Sequence, residues 1–245
     1  MSGAARFDFT GSVVLVTGGS DGIGLAIARA FQRTGAEVTI TGTRAAPADY
    51  DHPLDGLRYQ KLLVEDCASV REVVAAQQRL DVLVNCAGMT LREREHEQEG
   101  FEHVVQVNLS GSNCAARAAF PLLRDTGGCV VNIASMSSYF GWPRTPAYGA
   151  SKTAIISLTK SLASAWAKDG VRVNAIAPGF IATKLTARVR EDEQLAATIL
   201  GRTPAGRFGE PDEIAGAALW LSSAAAAFVT GVTVPVDGGF AASGL

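Results

Sequence analysis

Tyr148 and Lys152 are the residues whose types and spacing most directly suggest chemistry. Four apart on a helix they share a face, so the Lys152 ammonium can stand beside the Tyr148 phenol. A free tyrosine titrates at about 10, and an adjacent cation favours the phenolate and brings that value down. A phenol tuned in this way can give a proton to a ketone oxygen or take one from an alcohol. Alone, such a pair is common decoration on a helix, and its weight comes from what precedes it. Ser135 closes an apolar run, at the kind of strand end where ligands meet open α/β sheets. Its hydroxyl could hold a substrate oxygen beside the phenol, with Ser137 and Ser138 as nearby competitors.

A second group sits near the start of the chain. The apolar run Val13-Val14-Leu15-Val16 leads into Thr17-Gly18-Gly19-Ser20-Asp21-Gly22-Ile23-Gly24 and then into an amphipathic stretch. Glycines at such a turn remove the Cβ atoms that would hold a pyrophosphate away from the backbone. The following helix offers amide donors and the positive end of its dipole. A dinucleotide is the natural occupant.

Short β-branched runs alternate with longer helical ones along the whole chain, the pattern of a parallel sheet covered on both faces. The pattern predicts strands over residues 12–17, 37–42, 57–63, 81–85, 129–134, 171–175 and 233–236. It predicts helices over 22–33, 68–78, 100–123, 147–168 and 211–222. The continuously apolar first and fourth strands should be central, because parallel strands are buried on both faces. Residues 43–56 carry too much Pro and Asp for a crossover helix and read as a loop or a single turn. The polar stretches 90–99 and 181–209 read as rims of a pocket.

A length of 245 residues is compatible with one large domain or two small ones at roughly 100 to 200 residues each. No linker divides it, so one domain is expected. The 47% apolar and 19% charged content supplies a core and excludes disordered and fibrous classes. With 22 basic against 24 acidic side chains, the net charge of -2 leaves no footprint for nucleic acid or an anionic membrane. Small molecules and other protein chains are the expected partners. Cys67, Cys86, Cys114 and Cys129 form no Cys-x-x-Cys pair and the three histidines complete no zinc spacing. Reduced, mostly buried thiols and no metal are therefore expected. Residues 1–10 lack a basic stretch followed by an apolar core, so no secretory signal is expected and a cytoplasmic location follows. Residues 214–236 are uncharged and long enough to span a bilayer. Ser222, Ser223, Thr230, Gly231, Thr233 and Pro235 instead break them into a helix, a turn and a strand.

The Thr-Gly-x-x-x-Gly-x-Gly spacing at residues 17–24 resembles the short-chain dehydrogenase/reductase family, and more of that family's motifs follow in order. Asn85-Cys86-Ala87-Gly88 is similar to its Asn-Asn-Ala-Gly segment, and Asn108 lies in a matching Val-Asn-Leu-Ser-Gly. Ser135 stands thirteen residues before Tyr148, which opens Tyr-Gly-Ala-Ser-Lys152. Pro178-Gly179 follows the sixth strand, and Val236-Asp237-Gly238-Gly239 closes a match over nearly the whole chain.

This resemblance implies an α/β fold, a doubly wound and mostly seven-stranded parallel sheet of Rossmann type. It also implies an oxidoreductase that moves hydride between a nicotinamide cofactor and a secondary alcohol or ketone. The family's spacing selects Ser135 over its neighbours. It gives Asn108 the role of distorting its helix and ordering a water that links Lys152 to solvent, and gives Lys152 a bond to the nicotinamide ribose. The implied cofactor contacts are Gly18, Ser20, Asp21, Gly22, Ile23 and Gly24 in the loop, and Val64, Asn85, Ala87 and Gly88 towards the adenosine. Pro178, Gly179, Ile181 and Thr183 would lie at the carboxamide. One departure stands out, because the family's adenine-binding Asp aligns with Leu63, and Asp66 is a candidate substitute three positions later.

The aromatic residues Tyr139, Trp142 and Phe180, near Ser135, suggest a cyclic or bulky apolar substrate. Arg92, Arg94, Arg144, Lys184 and Arg188 in the rims leave a carboxylate or sugar acid open. For the cofactor, Gly42-Thr43-Arg44 offers no acid to a ribose 2′-hydroxyl. Thr43 and Arg44 could cradle a 2′-phosphate for which Gly42 leaves room. Asp21 opposes this unless Arg44 neutralises it, so NADP(H) is favoured over NAD(H). Two rival classes are a non-redox enzyme on the same fold (a lyase or epimerase) and a silent cofactor-binding regulator. The intact Ser, Tyr and Lys argue against the regulator. Apolar Ile155, Leu158, Leu162 and Trp166 on the long helix, with an uncharged tail, point to a homotetramer.

Overall fold

The structure is a computed structural model that describes residues 6–243. Residues 1–5 and 244–245 lie outside the described residues, and with them half of the stretch read for a leader. Seven parallel strands form one sheet: β1 (Val13–Thr17), β2 (Glu37–Gly42), β3 (Arg58–Lys61), β4 (Val82–Asn85), β5 (Cys129–Ile133), β6 (Arg172–Pro178) and β7 (Thr233–Val236). Their order is β3-β2-β1-β4-β5-β6-β7, so the winding reverses between β1 and β4.

Strand alternation builds the two sides of the core. Val14 and Val16, Val82 and Val84, and Val131 and Ile133 pack on one face against α1 (Gly22–Arg33) and α8 (Pro211–Ser222). Leu15, Leu83 and Val130 point the other way, towards α2 (Cys67–Ala75) and α4 (Ser112–Thr126). Leu15 and Leu83 are fully buried, which stabilises the sheet by about 1.5–3 kcal/mol for each side chain. The remaining helices are α3 (Gln98–Val105), α5 (Pro146–Trp166), α6 (Ala187–Glu191) and α7 (Glu193–Arg202). Proline opens both α5 and α8, where its missing N–H costs nothing.

The long helix expected over 100–123 is instead α3 and α4 joined by a π-helical turn, Gln106–Gly111, centred on Asn108. Residues 181–209, expected as a rim of the pocket, do line a cavity through Ile181, Thr183, Val189 and Leu195, and they contain two helices that the pattern does not predict, α6 and α7. Their short, charged sequences hid the apolar period, of which only Ile199 is fully inside. The 43–56 segment holds a single 3-10 turn, Pro47–Asp49, as expected. Residues 214–236 divide into α8, a short turn and β7. Among the described residues no helix is long and apolar enough to cross a membrane.

The expectation of four reduced thiols is corrected. Cys67 at the start of α2 and Cys114 in α4 form a disulfide, with Cα atoms 5.9 Å apart. The two are 47 positions apart in sequence, and only the packing of α2 on α4 brings them together. Cys86 and Cys129 are free.

Candidate active site

The carboxyl ends of β1 and β4 meet at the reversal point, where open α/β sheets take their ligands. The Thr17 hydroxyl accepts from the amides of Cys86 at 3.2 Å and Ala87 at 3.4 Å, tying the two strand ends together. Gly18 has φ +65°, and a Cβ there would stand 2.7 Å from the Ala87 Cα. Glycine is therefore required on both counts. Asp21 caps α1 by accepting from the Gly22 amide at 2.8 Å. A cleft of about 270 Å³ runs from this loop past Ala87 and Gly88 to Tyr148, Lys152 and Thr183.

A second cavity, about 430 Å³, opens beyond it and is lined by Ser135, Trp142, Phe180, Arg92 and Arg144 among others. Tyr148 lines both spaces and so stands where a cofactor and a substrate would meet. Ser135 lies two residues past the end of β5 and caps the following turn by accepting from the Ser137 amide at 3.0 Å. Burial pushes the Tyr148 phenol above its usual value, an effect the neighbouring Ser135 hydroxyl partly offsets.

Lys152 does not sit against that phenol. Its ammonium lies 5.8 Å from the centre of the Tyr148 ring and donates to the Ile133 carbonyl at 2.6 Å. Burial pushes the ammonium down to about 8. The expected lowering of the phenol is thus not found, because desolvation outweighs a cation at that distance. The same burial holds the Cys86 thiol up at about 11.

Asn108 sits in the π turn and is fully buried. Its side chain accepts from the Met89 amide at 2.8 Å and donates to the Met89 carbonyl at 3.0 Å and to the Ser151 hydroxyl at 3.1 Å. It pins the loop after β4 to α5. A Cβ on Gly88 would lie 3.3 Å from both the Asn108 Oδ1 and the Lys152 Nζ, so the three groups share one small space.

Several expected residues are placed elsewhere. The Asn85 side chain turns into the sheet, donating to Asn132 at 2.9 Å and to the Ser112 carbonyl at 3.2 Å. Val64 is buried in the core against Gly111. Asp66 cannot stand in for the missing adenine-binding acid, because its carboxylate caps α2 through Ala68, Ser69 and the Ser69 hydroxyl. Tyr139 is 45% exposed and does not line the cavity. Trp142 and Phe180 do line it and pack edge to face at 5.8 Å. Phe240, which sequence reasoning missed, packs against Phe180 at 5.7 Å from the far end of the chain. Its distance in sequence concealed it.

The ribose end also differs from expectation. Gly42 leaves no open room, since a Cβ there would overlap the Tyr50 hydroxyl and approach Ser20. The Ser20 carbonyl bonds the His52 ring at 2.8 Å. Arg44 lies over the Tyr50 ring at 4.7 Å, and Asp21 pairs with Lys184 at 2.9 Å and not with Arg44. Thr43 and Arg44 stay exposed on the rim. The side-chain-free cradle at Gly18, Gly22 and Gly88 fits the pyrophosphate and the nicotinamide half of a dinucleotide. The adenosine half would lie along the rim beside Arg44.

Comparison with known proteins fits this geometry. A family model described as enoyl-(acyl carrier protein) reductase matches residues 18–241. A galactitol 2-dehydrogenase (L-tagatose-forming) of Cereibacter sphaeroides is 40% identical over 96% of each chain. A 2-dehydro-3-deoxy-D-gluconate 5-dehydrogenase of Bacillus subtilis (strain 168) is 36% identical, again over 96% of each. The crystal structure of a gluconate 5-dehydrogenase from Burkholderia cenocepacia, in complex with NADP and tartrate, is 32% identical. It superposes with a TM-score of 0.90 over 98% of each chain.

Proposed function

Because the chain belongs to the short-chain dehydrogenase/reductase family and is an NAD(P)-dependent oxidoreductase of CH–OH groups, we propose that Tyr148 is its proton donor and acceptor, with Ser135, Lys152 and Asn108 as its partners. The observation that carries this reading is the place of Tyr148 at the junction of cleft and cavity, with Ser135 beside it and Lys152 behind. A bound nicotinamide supplies the hydride-carrying ring. In oxidation the Tyr148 phenolate takes the hydroxyl proton while Ser135 holds the same oxygen, and in reduction the phenol returns it. Lys152 binds the ribose side of the cofactor and keeps a positive charge behind the phenol. An anionic dinucleotide beside it favours that charged form. Asn108 holds the Gly88–Met89 backbone that borders Lys152.

The substrate in this reading is a polyhydroxylated ketone or alcohol that carries a carboxylate. Arg92 lines the cavity with no ion-pair partner among the described residues, a ready counter-ion for such a group. Trp142 and Phe180 offer flat apolar walls to the carbon-bearing faces of the molecule. Two relatives named above for sugar-acid chemistry support the choice, as does the tartrate in one of them. NADP(H) is the preferred cofactor, with Arg44 near the 2′-phosphate. In this reading the described residues serve as one catalytic domain built around the single sheet, and the location is cytoplasmic. A homotetramer is the assembly this reading expects, supported by β7 as an edge strand and by the exposed apolar side chains of Phe228 and Val232. The test follows the reduced-nicotinamide absorbance across a panel of sugar acids, polyols and cyclic alcohols. The reading fails if no sugar acid is turned over while a carboxylate-free alcohol is.

A further inference from the structure

Glu95 lies in the short helical turn Arg92–His96 and is 1% exposed. A carboxylate buried without a counter-ion persists only where enough donors converge on it. Glu95 has four. Its Oε1 accepts from the Thr90 hydroxyl at 2.6 Å and from the amides of Leu91 at 2.9 Å and Arg92 at 3.2 Å. Its Oε2 accepts from the Tyr148 amide at 2.9 Å.

The two oxygens face two different parts of the site. Three donors belong to the Thr90–Arg92 segment, which walls the substrate cavity. The fourth is in the first turn of α5, where amides have no partner within the helix. Thr145, at the cap position, supplies no side-chain bond of its own. Glu95 therefore caps α5 from 53 positions away, at the residue that carries the phenol. On the other side, Arg92 has φ +54°. A non-glycine residue keeps such a left-handed conformation only where its surroundings hold it, and here the holder is the Glu95 carboxylate with the Thr90 hydroxyl.

We propose that Glu95 is a positioning residue for the reaction, whose single carboxylate fixes the Tyr148 phenol and the Arg92 side chain in one frame. The inference rests on the reading of Tyr148 as proton donor and acceptor. The frame explains why a charged side chain is kept at this buried position. An amide has one acceptor atom and cannot satisfy both sides. The charged and titratable groups that act on the phenol are Cys86, Lys152 over the ring and Glu95 itself, with the Ser135 hydroxyl beside it. The Glu93–Arg144 pair and His96 lie on the exposed side of the turn.

Glu95→Gln tests this with almost no change of volume. The amide oxygen is drawn to the side with three donors, which turns the NH₂ against the Tyr148 amide. The expected result is a folded protein with dinucleotide affinity within about twofold of the parent and kcat lower by about tenfold or more, the scale on which misplaced catalytic groups are felt. The alkaline rise of alcohol oxidation also moves to lower pH, because the negative charge that helps keep Tyr148 protonated is gone. Glu95→Asp keeps the charge and shortens the reach, so kcat falls while the pH dependence stays. That variant carries the test alone if the glutamine variant does not fold. Parental kcat in whichever variant folds overturns the proposal, as does a kcat loss in Glu95→Gln with no movement of the pH limb. Tyr148→Phe is assayed alongside. Full activity in it would overturn the reading of Tyr148, whereas an inactive Tyr148→Phe beside a parental Glu95→Gln removes only the role given to Glu95.

Discussion

Lys184 bridges Asp21 and Asp51 across the mouth of the dinucleotide cleft, at 2.9 Å from a carboxylate oxygen of each. One side chain from the segment after β6 thus ties the glycine loop to the loop between β2 and β3. The Lys184 hydrogen bond is the main reason the Asp51 carboxyl is held down at about 2. The three side chains are 42–66% exposed, so the bridge does little for folding stability. Its effect falls on the ligand, because it neutralises the carboxylate that lies nearest the pyrophosphate cradle.

Lys184→Met should therefore weaken dinucleotide binding without changing the fold. The loss should be largest at low ionic strength and should shrink at high salt, since exposed charges are screened over roughly 10 Å at 0.1 M. Titration of cofactor fluorescence at two salt concentrations checks this. A salt-independent loss would mean that Lys184 acts through packing instead.

Lys152→Met should separate stability from activity. The Lys152 ammonium is pushed from its ordinary 10.5 to about 8 by burial. Between those values the unfolded chain holds more protons than the folded one, so this residue makes stability rise with pH over that interval. Below about 8 the full burial cost is present. At pH 7 the methionine variant should melt higher by about 2–4 °C for each kcal/mol relieved, less whatever the lost bond to the Ile133 carbonyl returns. The advantage should fade as pH rises towards 10.5. Turnover and cofactor affinity should both collapse. A lower melting point at pH 7 would show that the Ile133 bond outweighs desolvation.

Most of the architecture was legible because strand alternation and glycine spacing are local signals. Val14 and Val16 against Leu15 read out two buried faces directly. The features that were missed depend on side chains that meet only once the chain is folded. The disulfide needs α2 to lie on α4, the Tyr50 hydroxyl fills Gly42 from a turn eight residues on, and Phe240 reaches Phe180 from the end of the chain. Asn85 looked like a cleft residue from its motif, yet its amide is used between strands. The motif fixed where the backbone goes but not where the side chain turns.

The disulfide itself makes a measurable statement. Closing a loop of 47 residues removes unfolded-state entropy worth about 4 kcal/mol in the chain-entropy treatment. Reduction with dithiothreitol, or Cys67→Ser, should lower the melting temperature. Kcat at moderate temperature should change little, because the bond joins α2 to α4 away from the Tyr148 junction. Equal melting with and without reductant would show that the two thiols are not joined in solution.

Arg92→Met and the aromatic wall divide substrate reading between charge and shape. The arginine variant should lose activity on carboxylate-bearing substrates by a factor of about ten or more, as expected for a lost charge-assisted bond, while uncharged polyols are little affected. Trp142→Ala and Phe180→Ala should alter the ranking among substrates by about 1–3 kcal/mol in transition-state binding. Steady-state kinetics on matched acid and alcohol pairs decides the matter. If Arg92→Met weakens both kinds equally, its guanidinium shapes the cavity and does not read charge.

Cofactor choice turns on Tyr50 as much as on Gly42. An acid at the end of β2 would bind the 2′-hydroxyl of NAD, but here a side chain at position 42 would strike the Tyr50 hydroxyl and Ser20. Gly42→Asp alone should therefore destabilise the rim and weaken both cofactors. Only the double variant with Tyr50→Ala should favour NAD(H), a coupling that a double-mutant cycle measures. Arg44, stacked on the Tyr50 ring, stands free to meet a 2′-phosphate. Arg44→Ala should cost NADP(H) efficiency by about tenfold, or about 1.4 kcal/mol, and leave NAD(H) nearly unchanged. Asp21→Asn should act in the opposite direction, improving NADP(H) by removing the nearest negative charge while an asparagine still caps α1. If the parent protein already uses NAD(H) about tenfold more efficiently than NADP(H), then Arg44 is held by Tyr50 too firmly to serve, and the exposed rim does not select the phosphate.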